Sequence, residues 1–193
     1  MNREEGLKLV QEKIQNQNLV KHCLATEVCM RELAKHFAKD PSTSLGAGDL
    51  EKWGLTGLLH DIDYEETKND PDKHSILAAE ILEKAGLEKD IVDAVKTHNE
   101  RHGIAPESKM AKAIFTVDPL TGLIVAATLV LPSKKIADLT AENVINRFGE
   151  KSFAKGANRE IISQCQELLD INLKEFIEIG LKAMQGISGD LGL

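Results

Sequence analysis

Residues Trp53 to Tyr64 read WGLTGLLHDIDY. The stretch is apolar from Trp53 to Leu59 and then presents His60 and Asp61 side by side. An amphipathic segment that ends in an adjacent imidazole and carboxylate suits a metal ion, because a bend or a last helical turn can aim both side chains at one point. A His-Asp pair arises by chance in many proteins. Its weight here comes from residues of the same chemistry elsewhere: His22 upstream, and His74, His98 and Asp118 downstream. Imidazole nitrogen with carboxylate oxygen suits borderline divalent ions: Mn, Fe, Co, Ni or Zn. Cys23, Cys29 and Cys165 form no Cys-x-x-Cys spacing, which speaks against a closed structural zinc site.

Outward from this stretch the chain reads as helices. Residues 3–16 form a polar amphipathic helix with Leu7, Val10 and Ile14 on one stripe. Asn16-Gln17-Asn18 breaks it, and a second helix runs from Leu19 to Ala38. His22 shares that helix's apolar face, where a lone His would read as a satisfied core residue. Residues 40–49 form a loop, with Asp49 as N-cap of the helix that delivers His60 and Asp61. Gly54 and Gly57 are poor helix formers and allow another helix to approach closely. A polar loop covers 65–72, His74 opens a helix closed by Gly86, and residues 90–98 form another. His74 alone reads equally as an exposed first-turn histidine, and His102 as solvent-exposed.

Ser108 to Leu131 is a long helical stretch interrupted at Pro119. Asp118 sits there in apolar text, where a carboxylate needs a cation or strong donors. It reads also as the N-cap of a second helix starting at Pro119. Residues 132–186 are a helical cover, with helices at 158–169 and 173–184 and a frayed or loosely docked tail SGDLGL. Between Leu131 and Arg159, six basic residues face three acids. Lys134, Lys135 and Arg159 could meet a phosphate there, although solvated helix faces are the default reading of such a run. The expectation is one all-α domain over residues 1–193, of about eight to ten helices, since no long segment alternates with period two.

The totals narrow the function. Aromatics are only 4% of the 193 residues, so the core must be mainly aliphatic, as in packed helices. A net charge of -7 argues against bulk binding to nucleic acid or an anionic membrane. The odd cysteine count and the charged N-terminal stretch point to a reducing, cytoplasmic setting. The longest apolar stretch, Leu120 to Leu131, is shorter than the roughly 20 residues that span a bilayer. It reads as a buried helix, so no membrane partner is expected.

A first His, then His-Asp, then a distant Asp in a helical chain resembles the HD superfamily of metal-dependent phosphohydrolases. GLLHDID resembles the family's LLHDIG block, and VDPLTGLIVAA its AD-ALTGLI-A block. The likeness covers residues 19–127. Asp63 stands where many members have Gly, and Pro119 follows Asp118 where Ala is common. The resemblance implies that His22, His60, Asp61 and Asp118 hold one divalent ion between central helices. In two-metal members, His74 and His98 would hold a second, with Asp61 bridging. Some of those members carry a further His directly after the second; this chain has Asn99.

The implied activity is hydrolysis of a phosphate monoester, phosphodiester or nucleotide by metal-activated water. His60 and Asp61 would be its catalytic core, and Asp63 or His102 candidates to relay protons. The expected partner is a small phosphorylated molecule or nucleotide. A di-iron oxygenase uses the same scaffold and ligand set. A regulatory module that keeps a metal for structure is the third reading, disfavoured by the complete ligand set.

Overall fold

The computed structural model describes residues 1–40 and 45–193. Part of the expected 40–49 loop, residues 41–44, lies outside them. Every regular element among the described residues is helical. The elements are α1 (Arg3–Lys13), α2 (Gln17–Phe37), α3 (Ala47–Leu59), α4 (Tyr64–Thr67), α5 (Ile76–Lys84), α6 (Lys89–Thr97), α7 (Lys109–Leu129), α8 (Ala141–Gly149), α9 (Arg159–Ser163), α10 (Cys165–Leu169), α11 (Leu173–Gln185) and α12 (Ser188–Leu191). Single 3₁₀ turns occupy Glu100–His102 and Ile136–Asp138. The excess over the expected number comes from α4, α9, α10 and α12, each only four or five residues long.

Local chemistry sets several boundaries differently from the sequence reading. Asn16 is the N-cap of α2 and accepts the Asn18 N–H. Gly46, not Asp49, caps α3. Asp49 lies in the first turn and its carboxylate takes the Gly46 N–H at 2.7 Å, satisfying an orphan donor from the other side. The polar stretch after Tyr64 contains the short helix α4. α5 starts at Ile76, leaving His74 in the turn before it. The expected 158–169 helix divides at Gln164 into α9 and α10. The tail is docked rather than frayed: it forms α12 and buries Leu191 in the main core.

α7 passes through Pro119 as one helix, so Asp118 is not the cap of a second one. Its 21 residues are long and apolar enough to cross a bilayer by length and composition. Here that apolar surface is buried instead by α2, α6 and the C-terminal helices, making α7 the central strut of the larger core. A smaller core joins α1, α3, α5 and α6 through Val10, Ile14, Leu58, Leu59, Leu82 and Val95.

α2 and α3 cross very closely, and Gly57 is the reason. A Cβ there would lie 2.7 Å from the Thr26 carbonyl oxygen, well inside contact distance. Nearby, Glu27 is buried and accepts from Arg3 at 2.6 Å and Arg31 at 3.0 Å, while Arg31 also reaches Glu51. This chain of ion pairs ties α1, α2 and α3 together. A buried carboxylate is costly without such partners.

Candidate metal centre

The site gathers side chains from both cores. His22 projects from the second turn of α2, and His60 is the C-cap of α3 with Asp61 next to it. His74 sits in the turn before α5, His98 is the C-cap of α6, and Asp118 lies in α7. These six residues, all singled out in the sequence, converge. Asp61 is their hub. Its Oδ2 lies 3.5 Å from Nε2 of both His22 and His60. Its Oδ1 lies 3.3 Å from His74 Nε2 and 3.4 Å from His98 Nε2. Asp118 Oδ1 joins the first pair, at 2.9 Å from His22 Nε2 and 3.5 Å from His60 Nε2. Each oxygen of one carboxylate thus faces a different pair of imidazoles.

The far nitrogens of the four rings are all fixed. His60 Nδ1 lies 2.8 Å from the Gly57 carbonyl, and His98 Nδ1 2.6 Å from the Val95 carbonyl. Both rings cap a helix and turn back three residues to a carbonyl of its last turn. His74 Nδ1 faces Asp63 Oδ1 at 2.9 Å. His22 Nδ1 meets the Thr121 hydroxyl at 3.1 Å; that hydroxyl already donates to the Asp118 carbonyl, so it accepts from the ring. These acceptors put each ring's proton on Nδ1 and leave the Nε2 lone pair facing the cluster, which is the ligand form of histidine.

Lone pairs then crowd together. His22 and His60 Nε2 are 3.2 Å apart, as are His74 and His98 Nε2. With two carboxylates between them, the arrangement demands positive charge. Protons are one source: burial opposes charge on His60, but Asp61 and Asp118 outweigh it and push its pKa up to about 9. Burial likewise opposes charge on His74, yet Asp61 and Asp63 raise it to about 10. Burial also disfavours ionised Asp61 and Asp118, but the imidazoles hold both well below the usual carboxylate range. Divalent ions are the other source, and the donor set fits them. His22, His60 and Asp61 form one group able to hold an ion, and Asp61, His74 and His98 another.

The supporting residues were harder to read in the sequence. Asp63 is fully buried, and its Oδ2 accepts the N–H groups of Ser75 (2.9 Å) and Ala78 (3.1 Å). It therefore caps α5 from a distance and holds Ser75 at φ 70° while orienting His74. Both of its oxygens are occupied and it has no exposure, so it fixes the orientation of His74. Asn99 Nδ2 donates to the carbonyls of Pro71 and His74, so it supports the His74 turn instead of adding a ligand. His102 is half-buried, not solvent-exposed: its Nε2 lies 2.7 Å from the same His74 carbonyl. Thr121 lies three residues after Asp118, a helical spacing that could have flagged it.

A cavity of about 360 Å³ opens onto the cluster through His22, His98 and Asp118, with Phe115, Pro119 and Ile161 among its apolar walls. Lys134 and Lys135 follow the C-terminal end of α7 and do not line it. Arg159 lies beside it and gives its guanidinium to the carbonyls of Phe153, Ala154 and Ala157.

Fold and site together define an all-helical domain with a His/Asp donor cluster fit for divalent ions. The HD domain family model matches residues 19–146, and the chain belongs to that family of metal-dependent phosphohydrolases. The chain is similar to proteins named ribonuclease Y. It is 32% identical to that of Lawsonia intracellularis over 116 residues, covering 58% of this chain and 22% of the relative. Identity to that of Alkaliphilus metalliredigens is 32% over 151 residues, 75% of this chain and 29% of the relative. For Nitratidesulfovibrio vulgaris it is 28% over 151 residues, with 76% and 27% covered. The chain therefore spans under a third of the length of these curated relatives. No solved structure matches it.

Proposed function

We propose that this protein hydrolyses phosphate esters at a two-ion centre held by His22, His60, Asp61 and Asp118 on one side and Asp61, His74 and His98 on the other. The observation that carries this reading is Asp61, each of whose oxygens faces a different imidazole pair, in a cluster whose His22, His98 and Asp118 line a cavity of ligand size. Divalent ions there would acidify a water and neutralise charge on a phosphoryl group.

The chain's own residues supply the rest. The four fixed Nδ1 protons keep the rings aimed inward, so little reorganisation accompanies binding. Phe115, Pro119 and Ile161 give an esterified substrate an apolar wall that excludes water from one side. Asp118, still 26% exposed at its side chain, is the ligand nearest the opening. Phosphodiesters are the favoured substrate class, because the relatives are named as ribonucleases. That favours a nucleic acid or an oligonucleotide over the small phosphorylated molecule expected from the overall negative charge.

The test is metal analysis of protein purified without chelator, then a phosphatase and phosphodiesterase panel with each metal restored. Metal-dependent release of phosphate or alcohol is expected. Asp61→Ala should remove metal retention and activity together, and a variant that kept both would refute the assignment. Oxygen consumption without hydrolysis would return the di-iron oxygenase reading, since the same donors suit iron.

A further inference from the structure

The far wall of the cavity is the stretch Ala154, Gly156, Ala157 and Asn158, outside the residues matched by the family model. Glu100, Gly156, Ala157 and Asn158 also border a second hollow of about 750 Å³. They therefore form a rim between the cluster's cavity and this outer one. The rim is braced. Asn158 Nδ2 lies 3.3 Å from Glu100 Oε1, joining it to the turn that follows His98. The Arg159 guanidinium pins the loop from behind through the three carbonyls described above.

Lys151 and Lys155 stand on the outer hollow, both exposed. Neither carries an ion pair among the described residues. Together they place two exposed positive charges beside one concavity in a chain of net charge -7. Glu100 and Glu160 border the same hollow. Glu100 lies on the rim itself, where a carboxylate repels a phosphate and accepts a hydroxyl.

We propose that the outer hollow is a subsite for the second phosphate of a linear phosphodiester, with Lys151 and Lys155 as its charge partners. The proposal rests on the phosphohydrolase reading for the reacting phosphate. With that phosphate at the cluster, the sugar crosses the rim, where its hydroxyls meet Glu100. The next phosphate along the chain then reaches the two lysines. A monoester fills the inner cavity alone and gains nothing from them.

The experiment is equilibrium binding of a fluorescent tetranucleotide to the metal-loaded full chain. Methylene groups replace the bridging oxygens of the probe, which keeps its charge and blocks hydrolysis. Lys151→Ala/Lys155→Ala should weaken binding about tenfold near 0.1 M salt and lower the salt exponent by about 1.4, the value for two single-strand phosphate contacts. Lys134→Ala/Lys135→Ala, which border neither cavity, should change neither quantity. Unchanged affinity and exponent in the first variant would overturn the subsite. So would an equal loss in the second, or a wild-type protein that does not bind the probe. Failure of the hydrolase reading looks different: no ester is cleaved with any metal, while the binding difference persists. In active protein, the first variant should raise KM for a 5′-phosphorylated dinucleotide and leave bis(4-nitrophenyl) phosphate unaffected.

Discussion

Asp63 shows how much one residue can carry. It stands where the family's motif commonly has Gly, and it is the only member of the site with no exposure that binds both a ring and two backbone donors. Asp63→Ala would leave the Ser75 and Ala78 N–H groups buried without an acceptor. A cost of about 1–3 kcal/mol is expected, from the desolvation of unpaired donors. His74 would also lose the carboxylate that orients it. Removing such an outer partner typically costs about 10–100-fold in metal affinity. On the two-ion reading proposed above, the loss should fall on an ion held by His74 and His98 and spare one held by His22, His60 and Asp118. Titrating metal into the variant, with stoichiometry read by elemental analysis, checks this: occupancy should fall from two ions toward one at limiting metal. Equal weakening at both positions would contradict it.

Helices act here as paired rods whose separation sets ligand geometry, and Gly57 sets the closest separation. On an exposed helix, Gly→Ala gains about 1 kcal/mol from propensity. At Gly57 the new methyl would meet the Thr26 carbonyl at 2.7 Å, a backbone atom that cannot rotate away. Overpacking should win, with Gly57→Ala destabilising the fold by about 1–3 kcal/mol. It should also weaken metal binding, since His22 and His60 move apart with α2 and α3. A urea midpoint at or above wild type would show that the helices have room to shift.

The start of α2 carries a second, pH-dependent device. Glu65 accepts the N–H groups of Gln15 (3.1 Å) and Asn16 (2.6 Å) and joins the α1–α2 connection to α4. These two bonds lower its pKa from the ordinary 4.5. A carboxylate lowered on folding stabilises the native state fully above 4.5, and the contribution disappears as pH falls through the lower, folded value. The difference in Tm between wild type and Glu65→Gln should therefore be constant above about pH 5 and shrink below 4.5. A difference that widened toward acid pH would reverse the assignment.

At the scale of the whole molecule, the centre joins the two hydrophobic cores. Asp118 comes from a helix of the larger, His60 and His74 adjoin the smaller, and His22 lies on α2, which contributes to both. An ion bound there links them and stabilises the fold by mass action, by about 2.7 kcal/mol at a hundredfold excess over Kd. Chelation should lower Tm, and the effect should vanish in Asp61→Ala. A chelator-insensitive Tm in wild-type protein would separate the cluster from the fold's stability.

Much of this was legible in the chain alone. Periodicity of apolar residues reports which face of a segment is buried, so the all-helical class and the long α2 and α7 were readable. The six donor residues were readable too, because their chemical types and order form a recognisable pattern. Boundaries set by side chains from elsewhere were not. α5 begins at Ile76 because Asp63, twelve residues before Ser75, supplies its cap, and no local signal announces that. The same holds for His102 and Asn99, whose role depends on where the His74 carbonyl lies. Packing also decided which oxygen of Asp61 faces which rings, and that Lys151 and Lys155, rather than Lys134 and Lys135, stand beside the cavities. Sequence determines which groups are available and which faces they share within one helix. Contacts between residues 38 to 99 positions apart, such as His22 with His60 and with Thr121, are fixed only when several helices pack at once.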